Sequence, residues 1–200
     1  YMRVLDELLD CVVGSAMPHH SMEQLAALIQ ERAAEVSDDV KELFALIDAS
    51  RQHLRSWLPW VDGTRSPRDT LKFIRFALGQ HAAMDAAHFA IRQQRRIIGI
   101  VGFRTIDCVN RKAEVGYWLG SDYLGHGIMT KCCRAMIDWG FSKLKLNRIE
   151  IRVVPQNRKS RAIPDRLKFH NEGLMRQAEA LNGRFVDHVI YSMLRHEWER

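Results

Sequence analysis

One segment constrains the fold more than any other. Lys112–Leu119 alternates polar and apolar side chains as a strand does, and Ile128–Leu144 then carries apolar residues at helical spacing. Met129, Cys132, Cys133, Met136, Ile137, Gly140 and Phe141 form the apolar stripe of that helix, with Lys131, Arg134 and Asp138 on its other face. Arg148–Val154 returns to strand period through Ile149, Ile151 and Val153. A strand, a helix and a strand in this order make a crossover, so the two strands are expected to be parallel and adjacent.

The turn into the helix is Asp122-Tyr123-Leu124-Gly125-His126-Gly127-Ile128-Met129-Thr130. A pyrophosphate docked on a helix N-terminus needs backbone N–H groups turned toward it. Two glycines one residue apart permit that turn and remove the Cβ atoms that would block approach. Each N–H to a charged oxygen is worth about 1.5–3 kcal/mol, so a handful could hold a diphosphate without arginine. Thr130 adds a hydroxyl donor in the first turn. A ligand-free strand-to-helix connection would use the same glycines, so the segment alone leaves both readings open. It lacks the Gly-Lys-Ser/Thr ending of the P-loop and the third glycine of the dinucleotide fingerprint.

The flanking chain predicts other elements. Val4, Leu5, Leu8, Leu9 and Val12 suit a short amphipathic helix within residues 1–16, and Ala27–Ala33 reads as a strand. Ser37-Asp38-Asp39 caps a helix to Ala49, a second helical stretch carries Leu54, Trp57 and Leu58 up to Pro59, and Pro67 opens a third to His81. His88–Arg92 and Arg96–Ile106 are strand-like. Ser160–Lys168 suits a short helix, and Gly173–Trp198 two strands joined near Asn182-Gly183. The sum is an α+β fold whose mixed, mostly antiparallel central sheet holds one parallel β-α-β crossover, with flanking helices.

Composition excludes some classes. With 46% hydrophobic and 27% charged residues, disorder is not the default. The net charge of +6 favours an anionic ligand or partner without choosing one. No apolar run approaches the roughly 18 residues that span a bilayer, and acids interrupt the first ten residues, unlike a signal peptide. The cysteines (Cys11, Cys108, Cys132, Cys133) form no C-x-x-C pair, so metal is not expected and reduced cytoplasmic thiols are.

The run Lys112-Ala113-Glu114-Val115-Gly116-Tyr117-Trp118-Leu119, with Tyr123 through Thr130, resembles motif A of the GNAT acetyltransferases. The resemblance is to the ribosomal-protein-serine/alanine N-acetyltransferase (RimJ/RimL-like) branch. It extends through Leu54-Arg55-Ser56-Trp57-Leu58-Pro59-Trp60, Leu146 to Ile151, Asn157-Arg158-Lys159-Ser160, Arg176-Gln177-Ala178-Glu179 and Leu181-Asn182-Gly183. It spans residues 26–198, implying an acetyltransferase domain over 26–200 and an extension of unknown role over 1–25. Leu124 stands where relatives carry Gln or Arg, so one side-chain contact is absent while the backbone cradle survives. Leu167-Lys168-Phe169 replaces Leu-Gly-Phe.

The resemblance implies an acetyl-CoA donor, no metal, and direct attack by an amine within a ternary complex. The amine must be neutral. At pH 7 this costs an α-amine about 1.4 kcal/mol and a lysine about 4.6 kcal/mol. In this branch Glu179 is the expected base and Ser160 the thiol-side acid. Glu114 competes as base, since other GNAT enzymes place theirs on this strand, where Glu114, Gly116 and Trp118 share a face. The tyrosine acid of many relatives is replaced by Pro164. Tyr117, Trp118, Leu119, Leu124, Gly125, His126, Gly127, Ile128, Met129, Thr130 and Asn157 are the expected CoA-binding positions, with Asn157 on the pantetheine arm. Ser160 would also serve as a helix N-cap. Trp57 and Trp60 suit the acceptor wall or the core equally. The acceptor expected is a ribosomal-protein N-terminus, in a cytoplasmic homodimer with no DNA or membrane partner. Alternatives are a small amine (antibiotic, amino sugar or polyamine) and a non-catalytic ribosome- or RNA-associated protein.

Overall fold

The computed structural model describes residues 38–198 of the 200-residue chain. The helix expected within 1–16, the strand near Ala27–Ala33, the Ser37 cap and the 1–25 extension lie outside them.

The described chain starts with helix α1 over residues 38–49 and the short α2, Arg51–Leu54. The α2 stretch stops at Leu54, ahead of the expected Pro59, and turns carry Trp57 to Trp60. Helix α3, Pro67–Ala82, begins on its proline as expected. Then come β1 (Ala87–Gln93), β2 (Arg96–Asp107), β3 (Lys112–Leu119), α4 (Ile128–Ser142), β4 (Arg148–Val153), α5 (Arg158–Arg166), β5 (His170–Leu181), β6 (Arg184–Leu194) and α6 (Arg195–Trp198).

The six strands form one sheet in the order β1-β2-β3-β4-β6-β5. Among the described strands only β3 and β4 are parallel, as the crossover demands. Helix α4 covers one face, with Met129, Cys133, Met136, Ile137 and Phe141 buried against the sheet. Cys132, expected in that stripe, is half-buried. Gly140 lets the helix sit close: a Cβ there would stand 2.7 Å from the Phe103 ring. On the opposite face Leu43 and Ile47 of α1 meet Ile97 and Ile100. Arg92 ties α1 to the sheet through Asp39 and Glu42.

Two details shape the site. Helix α5 starts two residues before the expected Ser160. Asn157 is its cap, and its Oδ1 accepts from the Ser160 amide at 3.2 Å. Ser160 is therefore not the N-cap. Lys168 has φ +60, so the lysine takes the left-handed conformation that the glycine of the resembling Leu-Gly-Phe would take freely.

Candidate active site

Strands β3 and β4 pair only from Lys112↔Arg148 to Val115↔Ile151. Beyond that β3 stays bonded to β2 through Leu119, and β4 runs on beside β6. The parallel neighbours therefore separate, leaving a gap with unpaired strand edges on both sides.

The loop at the mouth of α4 borders this gap through Leu124 and Met129. Gly125 and Gly127 have φ +84 and +71, and nothing lies within 4 Å of where either would carry a Cβ. Gly127 is the N-cap of α4, and its carbonyl accepts the first helical bond, from Lys131 at 3.2 Å. The amides of Ile128, Met129 and Thr130 precede that bond, so the helix offers them no carbonyl. With the helix dipole, they make an anion-attracting end. Ser50 holds the loop in place, its Oγ accepting from the Ser121 amide at 3.1 Å. Leu124 is half-buried against the core at the mouth, and His126 is exposed.

A cavity of about 570 Å³ runs through the gap. Tyr117, Leu124, Met129, Asn157 and Ser160 line it, together with Trp57, Trp60, Phe73, Phe76, Glu179 and His188. Trp118 and Leu119 of β3 also line it, the Trp118 ring 6.0 Å from that of Trp60. Arg51 fixes the tryptophan loop, donating to the carbonyls of Val61 and Thr64 at 2.7 and 2.8 Å. Of the two readings left open for Trp57 and Trp60, the geometry gives the cavity wall.

Ser160 sits in a hydroxyl chain. Its Oγ donates to the Tyr117 phenol at 3.2 Å, and that phenol donates to the Ser160 carbonyl at 3.1 Å. Burial pushes the Tyr117 phenol well above its ordinary value, so it stays protonated. Pro164 is buried within α5 and leaves no hydroxyl there.

The two candidate bases differ. Glu114 meets Arg104 at 3.3 Å and Arg152 at 3.5 Å, so both carboxylate oxygens are engaged by guanidinium groups. Arg104 occupies the bulge between Phe103 and Thr105, and its stem crosses Gly116, where a Cβ would stand 2.5 Å from Cδ. Glu179 instead faces the cavity, with His188 Nε2 3.3 Å from its Oε2. Sequence reasoning missed His188, Arg104 and Arg152. A signal for His188 existed: counting back from the Asn182-Gly183 turn puts Glu179 opposite Val186, with His188 the diagonal neighbour. His88 and His53 also line the cavity, and burial lowers both below the usual histidine range.

The gap is walled mostly by apolar side chains, and of the loop and helix start Leu124 and Met129 line it, while Gly125, His126, Gly127, Ile128 and Thr130 stand outside its lining. That fits a diphosphate-bearing thioester whose arm threads between β3 and β4. Among the described residues no cluster of His, Cys, Asp and Glu could hold a metal, and no helix is long and apolar enough to cross a membrane.

Known proteins give the same answer. The acetyltransferase (GNAT) domain matches residues 32–170. The ribosomal-protein-serine acetyltransferase of Escherichia coli (strain K12) is 30% identical over 164 residues, covering 82% of this chain and 92% of the relative. The crystal structure of the microcin C7 self-immunity acetyltransferase MccE, in complex with acetyl-CoA and AMP, matches with TM-score 0.75 and 30% identity, over 79% of this chain and 88% of that one. The ribosomal L7/L12 α-N-protein acetyltransferase RimL, in complex with coenzyme A, matches with TM-score 0.76 and 28% identity, over 79% and 89%. Sequence, topology and cavity thus converge, and the chain belongs to the GNAT family as an N-acetyltransferase with acetyl-CoA as donor.

Proposed function

We propose that this enzyme acetylates a protein N-terminal α-amine of the ribosomal-protein type, by direct attack within a ternary complex. The observation that carries the reading is that Glu179 and Ser160 line one cavity together with Trp57, Trp60, Leu124 and Met129. Glu179 takes the proton of the incoming ammonium. An α-amine needs only about 1.4 kcal/mol to be neutral at pH 7, a task within reach of a carboxylate base. A backbone amide of β3 beyond Val115 donates to the developing oxyanion. The Ser160 hydroxyl, held by Tyr117, turns to give its hydrogen bond to the leaving sulfur.

The roles of the cradle follow from position. The amides of Gly125, His126, Gly127, Ile128, Met129 and Thr130 bind the diphosphate, with Leu124 contributing backbone only. Tyr117, Trp118, Leu119 and Asn157 flank the pantetheine arm. Glu114, engaged by Arg104 and Arg152, serves the sheet and leaves the base role to Glu179.

The names of the relatives support a ribosomal acceptor. A cytoplasmic homodimer is part of the same reading. Edge strand β5 and its neighbour leave Leu174, Met175 and Phe185 exposed, a surface suited to a second copy. Residues 26–200 form the catalytic domain and 1–25 an extension. The aromatic lining of Trp57, Trp60, Phe73 and Phe76 favours, as a second reading, a small amine with an apolar body. Acetyl-CoA consumption over a panel of N-terminal peptides, amino sugars and polyamines separates the two. Turnover confined to peptides with a free α-amine upholds the first; turnover confined to the small amines replaces it with the second.

A further inference from the structure

We infer that His188 is a positioning residue that holds the Glu179 carboxylate in its reactive orientation. The inference rests on Glu179 being the base. His188 is only 8% exposed. Its Nε2 lies 3.3 Å from Glu179 Oε2, and both residues line the cavity. A carboxylate only accepts, so the close nitrogen is the one that carries the proton. Glu179 Oε2 is thereby engaged, and Oε1 is left to face the acceptor amine.

The hairpin is built to hold this pair. From Met175 to Glu179 strand β5 advances four residues while β6 advances two between Val186 and His188, so β5 bulges. Gln177, at φ +50, sits in that bulge, its amide bonded to Asp187 Oδ1 at 2.7 Å. The register running back from the turn sets Glu179 opposite Val186 and diagonally across from His188, and the bulge follows directly behind Glu179. The hairpin tip is tied down, Asn182 Nδ2 donating to the Arg55 carbonyl at 3.0 Å. A glutamate on a free stem samples several rotamers, and a misplaced base loses rate steeply. His188 restricts those rotamers without touching the donor.

The test uses His188→Leu, His188→Gln and His188→Asn in the full chain, with a peptide bearing a free N-terminal serine. A glutamine amide can stand where Nε2 stands; an asparagine amide falls short. His188→Leu and His188→Asn should lower kcat by about tenfold to a hundredfold, with the KM for acetyl-CoA unchanged. His188→Gln should recover kcat to within about threefold. Adding His188→Leu to Glu179→Gln should cost nothing more, because the histidine acts through the glutamate. Equal kcat in all three variants, or independent losses in the double variant, overturns the inference. An undiminished Glu179→Gln alone sinks the base assignment and this inference with it. An impaired Glu179→Gln beside an active His188→Leu sinks only this inference.

Discussion

Substituting Gly127 by alanine separates folding from donor binding. Gly127 has φ +71 and open space around the missing Cβ, so Gly127→Ala meets no clash and bears only the left-handed penalty of about 1–2 kcal/mol. In a chain of this size that lowers Tm by about 2–8 °C. Gly183, at the hairpin tip with φ +77 and equally open surroundings, bears the same penalty away from the loop. The two variants should therefore melt alike. They should bind CoA differently. If the alanine tilts one loop amide off the diphosphate, the loss is about 1.5–3 kcal/mol, or roughly tenfold to 150-fold in Kd. Titration calorimetry with CoA reads this for wild type, Gly127→Ala and Gly183→Ala. Weakened binding in the first variant alone supports the cradle. An unchanged Kd in Gly127→Ala, beside the expected fall in Tm, refutes the assignment of the loop to the diphosphate.

Three further outcomes are expected. Glu172 is held down at about 2, chiefly by its hydrogen bond from Arg148 and next by that from Ser192. Its folded value lies below the ordinary 4.5, so its contribution is present above that pH and is lost as pH falls toward 2. Thermal melts between pH 6 and pH 2.5 should show a steeper acid loss in wild type than in Glu172→Gln. Tyr117→Phe removes the partner of the Ser160 hydroxyl, and should cost about 1 kcal/mol of stability by urea unfolding and lower kcat more than the KM for acetyl-CoA. Gly140→Val drives a Cβ toward Phe103, Ile149 and Leu146, and should destabilise by about 1–3 kcal/mol in the same assay with the loop intact.

The crossover was legible in the sequence because periodicity changes sharply there. Strand β3 spans Lys112–Leu119 as expected, and the stripe of α4 is buried except at Cys132. Asn182-Gly183 announced the last hairpin through its turn chemistry. What stayed hidden depends on contacts between distant residues. Ser160 read as a cap because serine favours that position, but Asn157 takes it and starts α5 earlier. The bulge at Gln177, directly behind Glu179, stayed hidden because glutamine has no strong preference for positive φ. Arg104 read as one more strand residue, and the irregularity beside Phe103 brings it to Glu114. The gap itself is a failure of β3 and β4 to remain paired, and alternation gives the same pattern whether strands pair or part.

The most direct measurement incubates the enzyme with acetyl-CoA and two peptides. One has a free N-terminal serine; the other has the same sequence with its α-amine blocked and a free lysine. Mass spectrometry reads the acetyl group on each. The expected result is acetylation of the free α-amine, little on the lysine, and a loss of at least about a hundredfold in Glu179→Gln. Equal modification of both peptides, or an undiminished Glu179→Gln, contradicts it.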